Sequence, residues 1–548
     1  KVKEEKEAEE AGKPEEQARE KEKEKGKPQP VRVDVEGIGQ RVVAVPVKPG
    51  NYRALEVKKG KLFYLSVPVA GIQLLGPEEE RPRNALHIFD VKEREDKVLL
   101  EGIDDYRLNQ DGNKVLYRAR RVFGIVDAVP GKAKVGEGKL NTPSLQAVVD
   151  PRAEWKQIFR EAWRIERDFF YAPNMAGHDW EKLGQRYEQL LPYVAHRSDL
   201  NYIIGEMIAE LTTSHTYVGG GEMPEVKRVA VGLLGVDFEP EQGFYRFKKI
   251  YAGQNWDAQL RSPLTEPGIK VRQGDYLIAV NDQVVRTTDN PYAYFQNLAE
   301  KIVTLKVNSQ PRAEGAWEVQ VKLLRSEAAL RYFAWVEGNR LKVEEATGGR
   351  VGYMHVPDTS IDGLNMFTRY FYSQTDKQAL IVDERYNSGG MIPDFFTELL
   401  RRRLLGLVAP REGADFRVPI RAIFGPKVML INEYAGSGGD LFPYIFRKEQ
   451  IGPLVGKRTW GGLVGIAHGI PLMDGGMVTA PEVAFWSADN GGQWIVENVG
   501  VAPDYQVDQR PDLVVQGRDP QLEKAIELVL EVLKKEPPVP QRPPYPKK

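Results

Sequence analysis

The sequence has no cysteine, only six histidines and almost no net charge. Without cysteine there are no disulfides, no cysteine zinc ligands and no thiol nucleophile. The 77 Lys and Arg residues are matched by 78 Asp and Glu residues, for a formal charge of −1. With that balance nothing in the composition suggests a nucleic-acid partner, and none is expected. No run approaches the ~18 apolar residues of a membrane helix, so no membrane insertion is expected. The first residues carry no signal-peptide pattern, but the chain begins with Lys rather than Met, so an N-terminal portion is expected to be missing. The cytoplasm is the expected compartment, with the periplasm as the alternative. Neither a metal nor a cofactor is expected. What is present is globular in composition, 41% hydrophobic and 28% charged over 548 residues, enough for three or four domains.

Taken in order, residues 1–30 are almost all Lys, Glu, Ala, Gly and Pro and predict a disordered or solvated segment. Residues 31–150 read as short strands. Val31 to Val35 and Arg41 to Val47 alternate, and Leu62–Leu65, Ala85–Phe89 and Lys114–Tyr117 follow with turns between them. Asn109 to Tyr117 resembles a hairpin of propeller repeats, so the segment is expected to be partial β-propeller blades. Residues 151–228 predict a small helical domain built on Trp155, Ile158, Phe159, Ala162 and Trp163. Residues 229–325 contain Gly274-Asp275-Tyr276-Leu277-Ile278-Ala279-Val280-Asn281 and resemble a PDZ domain, a fold in which a glycine loop captures a peptide carboxylate. Residues 326–536 alternate strands and helices, which predicts an α/β domain. Strands are expected at Gly352–Val356 and Ala379–Asp383, and helices at Leu364–Tyr372 and Asp394–Leu405. Residues 537–548 form a proline-rich tail expected to lack structure.

The stretch with the clearest chemical meaning is Lys427 to Arg447. An apolar strand pattern ends in Ala435-Gly436-Ser437-Gly438-Gly439, and a helical pattern begins at Asp440. Ser437 therefore sits on a strand-to-helix turn, where backbone N–H groups at a helix N-terminus can stabilise an oxyanion. Ser437 is equally placed to be a turn residue or an N-cap, and Ala435 breaks the Gly-x-Ser-x-Gly pattern of α/β-hydrolases. A serine nucleophile needs a base, and six histidines are available: His87, His178, His196, His215, His355 and His468. His215 stands out because Ser214 precedes it and glycines follow. Asp383 to Gly390 offers oxyanion donors at Gly389 or Gly390, which would act with Gly438. Glu497 could orient the base, or be a solvated turn carboxylate.

Helical domain, PDZ module, D-x-R-x-N-x-G-G, Gly-Ser-Gly-Gly turn, G-K-R-T-W-G-G and E-N-x-G-V-x-P-D follow one another as in the tail-specific protease family of serine peptidases. The propeller-like start resembles its tricorn branch. Related processing peptidases use a Ser–Lys dyad, but Gly462 stands where that lysine would be. The resemblance implies a ClpP/crotonase-like catalytic fold and a tetrad: Ser437 as nucleophile, His215 as base, Ser214 as relay and Glu497 as the acid bonded to it. Gly390 and Gly438 would form the oxyanion hole. It implies peptide or unfolded-protein substrates and a homo-hexamer. It also implies an acidic residue that favours basic P1 side chains, for which Glu412 and Asp415 lie in the right region without a decisive match. A catalytically inactive PDZ-bearing scaffold and an esterase are the rival readings.

Overall fold

A computed structural model describes residues 33–58, 60–68, 83–131, 133–466, 469–535 and 541–547. The charged segment 1–30, His468 and part of the proline-rich tail lie outside the described residues. The chain divides into two compact units, Lys1–Val148 and Val149–Lys548.

The first unit holds two antiparallel meanders. One has four strands in chain order, Asn51–Lys58, Lys61–Val67, Asn84–Asp90 and Glu95–Ile103. The other has three, Asp105–Leu108, Lys114–Ala119 and Val122–Asp127. Phe63, Leu65, Leu86, Ile88, Tyr106 and Tyr117 bury a shared core between them. The turn at 109–113 closes because Asn109 Oδ1 accepts from the N–H groups of Asn113 and Lys114, at 3.0 Å each. Of the strand expected at 31–35 only 33–35 are described and they form none, and the strand expected at 41–47 is absent as well. Ile38–Arg41 is a 3₁₀ turn, and Val33, Val35, Val42 and Val43 are exposed. Alternation there meets no partner strand among the described residues, and without one the backbone groups bond to water instead of to a ladder.

The second unit begins with three helices, Pro151–Phe169, Trp180–Glu188 and Arg197–Ala209. Asp150 and Asp179 cap the first two by accepting backbone N–H groups. A twisted antiparallel sheet follows, in the order Trp317–Lys322, Ile302–Asn308, Tyr276–Val280, Phe244–Ile250, Val236–Glu241. In its glycine loop, Gly232 N–H donates to Phe295 O (2.8 Å) and Leu233 N–H to Leu324 O (2.9 Å). Those two donors are therefore already used within the module.

The last part is a five-stranded parallel sheet, in the order Val351–His355, Ala379–Asp383, Lys427–Ile431, Leu454–Gly456, Tyr505–Gln506. Its first three strands are buried along their whole length. Helices cover both faces, which is why those strands are continuous apolar runs rather than alternating ones. The helix expected at 394–405 spans Pro393–Leu400 and stops with the N–H of Arg401 bonded to Thr397 O. The three consecutive arginines beyond it, Arg401 to Arg403, are exposed and lie outside the helix.

The three-helix segment is fastened to this last part. Strand Tyr217–Gly219 pairs antiparallel with Met477–Thr479. Leu472, Val478 and Ala480 complete the helical core. Arg197 reaches Asp474 at 2.5 Å, with both side chains at most 4% exposed. Arg197 and the N–H groups of Gly476 and Glu222 outweigh the effect of burial and hold the Asp474 carboxyl below its usual range. The segment Thr212–Thr216, between the third helix and its paired strand, is thereby brought to the carboxyl ends of the parallel strands.

Candidate active site

Ser437 lies between the buried strand Lys427–Ile431 and the helix Gly438–Lys448. Its φ of 57° and ψ of −119° place a non-glycine residue in a sparsely populated region, at a cost of about 1–3 kcal/mol. Two bonds hold it there: its N–H donates to Gly462 O (2.8 Å) and to Asp440 Oδ2 (2.9 Å). Position 438 has no room for a side chain. A Cβ there would lie 2.0 Å from Thr359 Oγ1 and 2.7 Å from Gly390 N.

The N–H of Gly389 donates to Asn387 Oδ1 at 2.9 Å. Those of Gly390 and Gly438 have no acceptor among the described residues. Of the two glycines that the sequence left open, Gly390 is thus the one with a donor to offer, and it lies beside Gly438. Gly438 opens a helix and Gly390 lies in the loop beside it, and free N–H groups so placed can stabilise an anion. The loop that carries Gly390 is anchored from below. Arg385 pairs with Asp383 (2.6 Å) and with Asp519 (3.0 Å), all three nearly inaccessible, and Asp519 also caps the last helix, Pro520–Leu533.

His215 is half-buried, with a φ of 61°. Thr479 Oγ1 donates to its carbonyl at 2.7 Å, and Asn498 Nδ2 donates to Thr212 O at 2.7 Å. Nδ1 of His215 stands 2.9 Å from Ser214 Oγ, which donates to Glu497 Oε2 at 3.2 Å. A hydroxyl has one proton. With its proton directed at Glu497, the Ser214 hydroxyl accepts from Nδ1–H and leaves Nε2 of His215 with a free lone pair. Glu497 is itself fixed, with Oε1 accepting Ser214 N–H (2.8 Å) and Oε2 accepting Leu463 N–H (2.7 Å) and Val464 N–H (3.0 Å). Burial lowers the His215 pKa from its ordinary 6.5, against a smaller opposing pull from Glu497.

Trp460 lies between the two halves. Its ring centroid is 5.5 Å from that of His215. A Cβ on Gly436 or Gly462 would fall 2.5 Å or 2.3 Å from the indole. The space a lysine at 462 would use is therefore filled by this ring. No hydrogen bond links His215 Nε2 with Ser437 Oγ among the described residues, and such contacts commonly tighten only with substrate bound.

The other histidines have different partners. His87 bonds to Asp96 (2.9 Å) and Ser66 (3.0 Å) in the first unit. His178 is exposed, and His196 caps a helix. His355 is buried between Tyr332 Oη (2.7 Å) and Arg385 O (2.8 Å). Asp415, one of the two acids considered for P1 recognition, bonds to Arg542 at 2.7 Å. Sequence reasoning missed Asp440, Trp460, Thr479 and Asn498. Asp440 had a signal of its own, because an acid three residues after a serine is the spacing of a capping box, and Trp460 and Asn498 stood only as members of the quoted motifs.

Residues 151–209 match the tricorn protease C1 domain, 232–326 the tricorn protease PDZ domain and 350–507 peptidase family S41. A tricorn-like protease C-terminal subunit of Sulfurisphaera tokodaii is 35% identical over 92% of this chain and 58% of its own length. Tricorn protease homolog 1 of Streptomyces coelicolor is 36% identical over 92% of this chain and 48% of its own. The crystal structure of the tricorn protease superposes with a TM-score of 0.83 at 30% identity, over 93% of this chain and 49% of that one. The chain carries the C1 and PDZ domains of tricorn proteases and a peptidase family S41 domain, in that order. It spans about half the length of the curated relatives it matches. No helix among the described residues is long and apolar enough to cross a membrane. The family S41 match includes Ser437 and Glu497, and Ser214 and His215 lie between the C1 and PDZ matches.

Proposed function

We propose that the chain is a serine peptidase of the tricorn kind, acting on short peptides and unfolded-protein segments. The observation that carries this reading is the hydrogen-bonded run His215–Ser214–Glu497, tied through residues 460–464 to Ser437. Ser437 Oγ attacks the peptide carbonyl carbon while its proton passes to His215 Nε2. The N–H groups of Gly390 and Gly438 stabilise the charge that develops on the carbonyl oxygen. The C–N bond breaks, and His215 gives its proton to the leaving amine. Water then attacks the acyl ester with His215 again as base, and Ser437 recovers its proton. Ser214 and Glu497 keep the imidazole in the tautomer this requires.

In this reading segment 151–228 supplies the base, 229–325 is the PDZ module and 326–536 supplies the nucleophile, with propeller-like blades at 31–150. The protein works in the cytoplasm as a homo-hexamer, a reading supported by the family resemblance. The test is release of dye from peptidyl amides and from matching esters by the protein and by Ser437→Ala and His215→Ala. Amide turnover that falls at least about 1,000-fold in each variant supports the reading. Ester turnover alone favours an esterase. Peptide binding with no turnover favours the scaffold.

A further inference from the structure

Asp440 is wholly buried, yet it neither touches the space a substrate would enter nor belongs to the Ser437, His215, Ser214 and Glu497 set. Its carboxylate accepts four hydrogen bonds. Oδ2 takes the N–H groups of Ser437 (2.9 Å) and Gly462 (3.0 Å). Oδ1 takes Thr459 Oγ1 (2.5 Å) and the N–H of Gly461 (2.8 Å). That fills the capacity of a carboxylate. Burial pushes its pKa up, and these four donors work against that rise.

The donors belong to two structures that have to be in register. One is the strained turn of Ser437. The other is the strap 459–464, whose Trp460 packs on His215 and whose Leu463 and Val464 N–H groups hold Glu497. Ser437 is also bonded to the strap directly, through Gly462 O. Among the described residues the carboxylate is thus the one side chain bonded to the nucleophile's backbone and to the segment that supports the base and the acid.

We infer that Asp440 is a positioning residue for acyl transfer, setting the spacing between Ser437 and the His215–Ser214–Glu497 run from inside the fold. The inference rests on the serine-peptidase reading above. An amide and a carboxylate differ here in a useful way. In Asp440→Asn the amide nitrogen is placed on the Thr459 side, because a hydroxyl can turn to accept from it and an N–H cannot. The bonds from Ser437 and Gly462 survive, and only Gly461 loses its acceptor. In Asp440→Ala all four are lost.

The experiment measures kcat and KM on a peptidyl amide, together with the rate of phosphonylation of Ser437 by a fluorophosphonate. It uses the full chain and the variants Asp440→Asn, Asp440→Ala and Thr459→Val, the last as the milder lesion should Asp440→Ala fail to fold. A misplacement of about 1 Å costs on the order of 100-fold. The expected result is a drop in kcat of that size for Asp440→Ala and of less than about 10-fold for Asp440→Asn. Thr459→Val falls between them, KM stays within about 2-fold, and phosphonylation rates follow kcat. Folded variants that melt lower yet react at the parent rate would show a purely structural role and overturn the inference while leaving the peptidase reading intact. A parent protein that is neither active nor phosphonylated overturns both.

Discussion

Glu166 offers a test of the helical segment that needs no substrate. It lies on the helix Pro151–Phe169 and is wholly inaccessible, and neither carboxyl oxygen has a hydrogen-bond partner among the described residues. Burial pushes its pKa from an ordinary 4.5 up to about 8. The folded protein therefore keeps the proton over a range in which the unfolded chain releases it. The stability this group allows is complete below 4.5 and is lost as pH rises towards 8. At pH 7 the loss is about 3 kcal/mol, at 1.36 kcal/mol for each pH unit above the ordinary value. Glu166→Gln keeps the volume and removes the titration, and a buried amide carries a desolvation cost similar to that of a buried carboxylic acid. Urea unfolding followed by tryptophan fluorescence should give equal stabilities for parent and variant at pH 4.5. At pH 7 the variant should be more stable by about 3 kcal/mol. A difference independent of pH, or a less stable variant at pH 7, would refute this picture of an unpartnered buried acid.

Three further outcomes concern the site. The lowered pKa of His215 places the acid limb of the kcat/KM profile below 6.5, and Glu497→Gln moves that limb lower still by removing the one charge that raises it. Asp474→Asn strands the buried Arg197 charge and should destabilise the Val149–Lys548 unit by about 3–5 kcal/mol, read by urea unfolding. Activity measured at saturating substrate should fall with it, because the pair clamps the segment that presents His215. Gly462→Lys should not yield a working Ser–Lys dyad. It displaces the Trp460 ring and should lower kcat by about 100-fold or more, and an active variant whose pH profile shifts to that of a lysine base would contradict the packing described for Trp460.

Much of the site was legible because its chemistry demands local patterns. Ser437 and Gly390 lie on turns after apolar strands, and a glycine at 438 is forced by the close approach of Thr359 and Gly390. The Ser214-His215 pair was visible as a sequence, but its bond to Glu497 spans 283 positions, and only the motif order of the family pointed to it. Trp460 and Asn498 were visible only as letters of motifs and Thr479 not at all, since their roles are contacts with residues far away in the chain. In the fold, the strands at 379–383 and 427–431 could be read because burial on both faces leaves continuous apolar runs. The strands expected at 31–35 and 41–47 do not form among the described residues, because alternation shows what a strand could look like, not whether a neighbour is there to pair with it. Arg385 could be read only as part of a motif, and its buried bonds to Asp383 and Asp519 give that motif a structural role beneath the Gly390 loop.

The central claim is that Ser437 is an activated nucleophile with His215 as its base. Its most direct test is treatment of the full chain with a fluorophosphonate and location of the adduct by peptide mass, in parallel with Ser437→Ala and His215→Ala. One adduct on Ser437, absent from both variants, is the expected result. An adduct on another serine, or none on a folded, assembled sample, would contradict it.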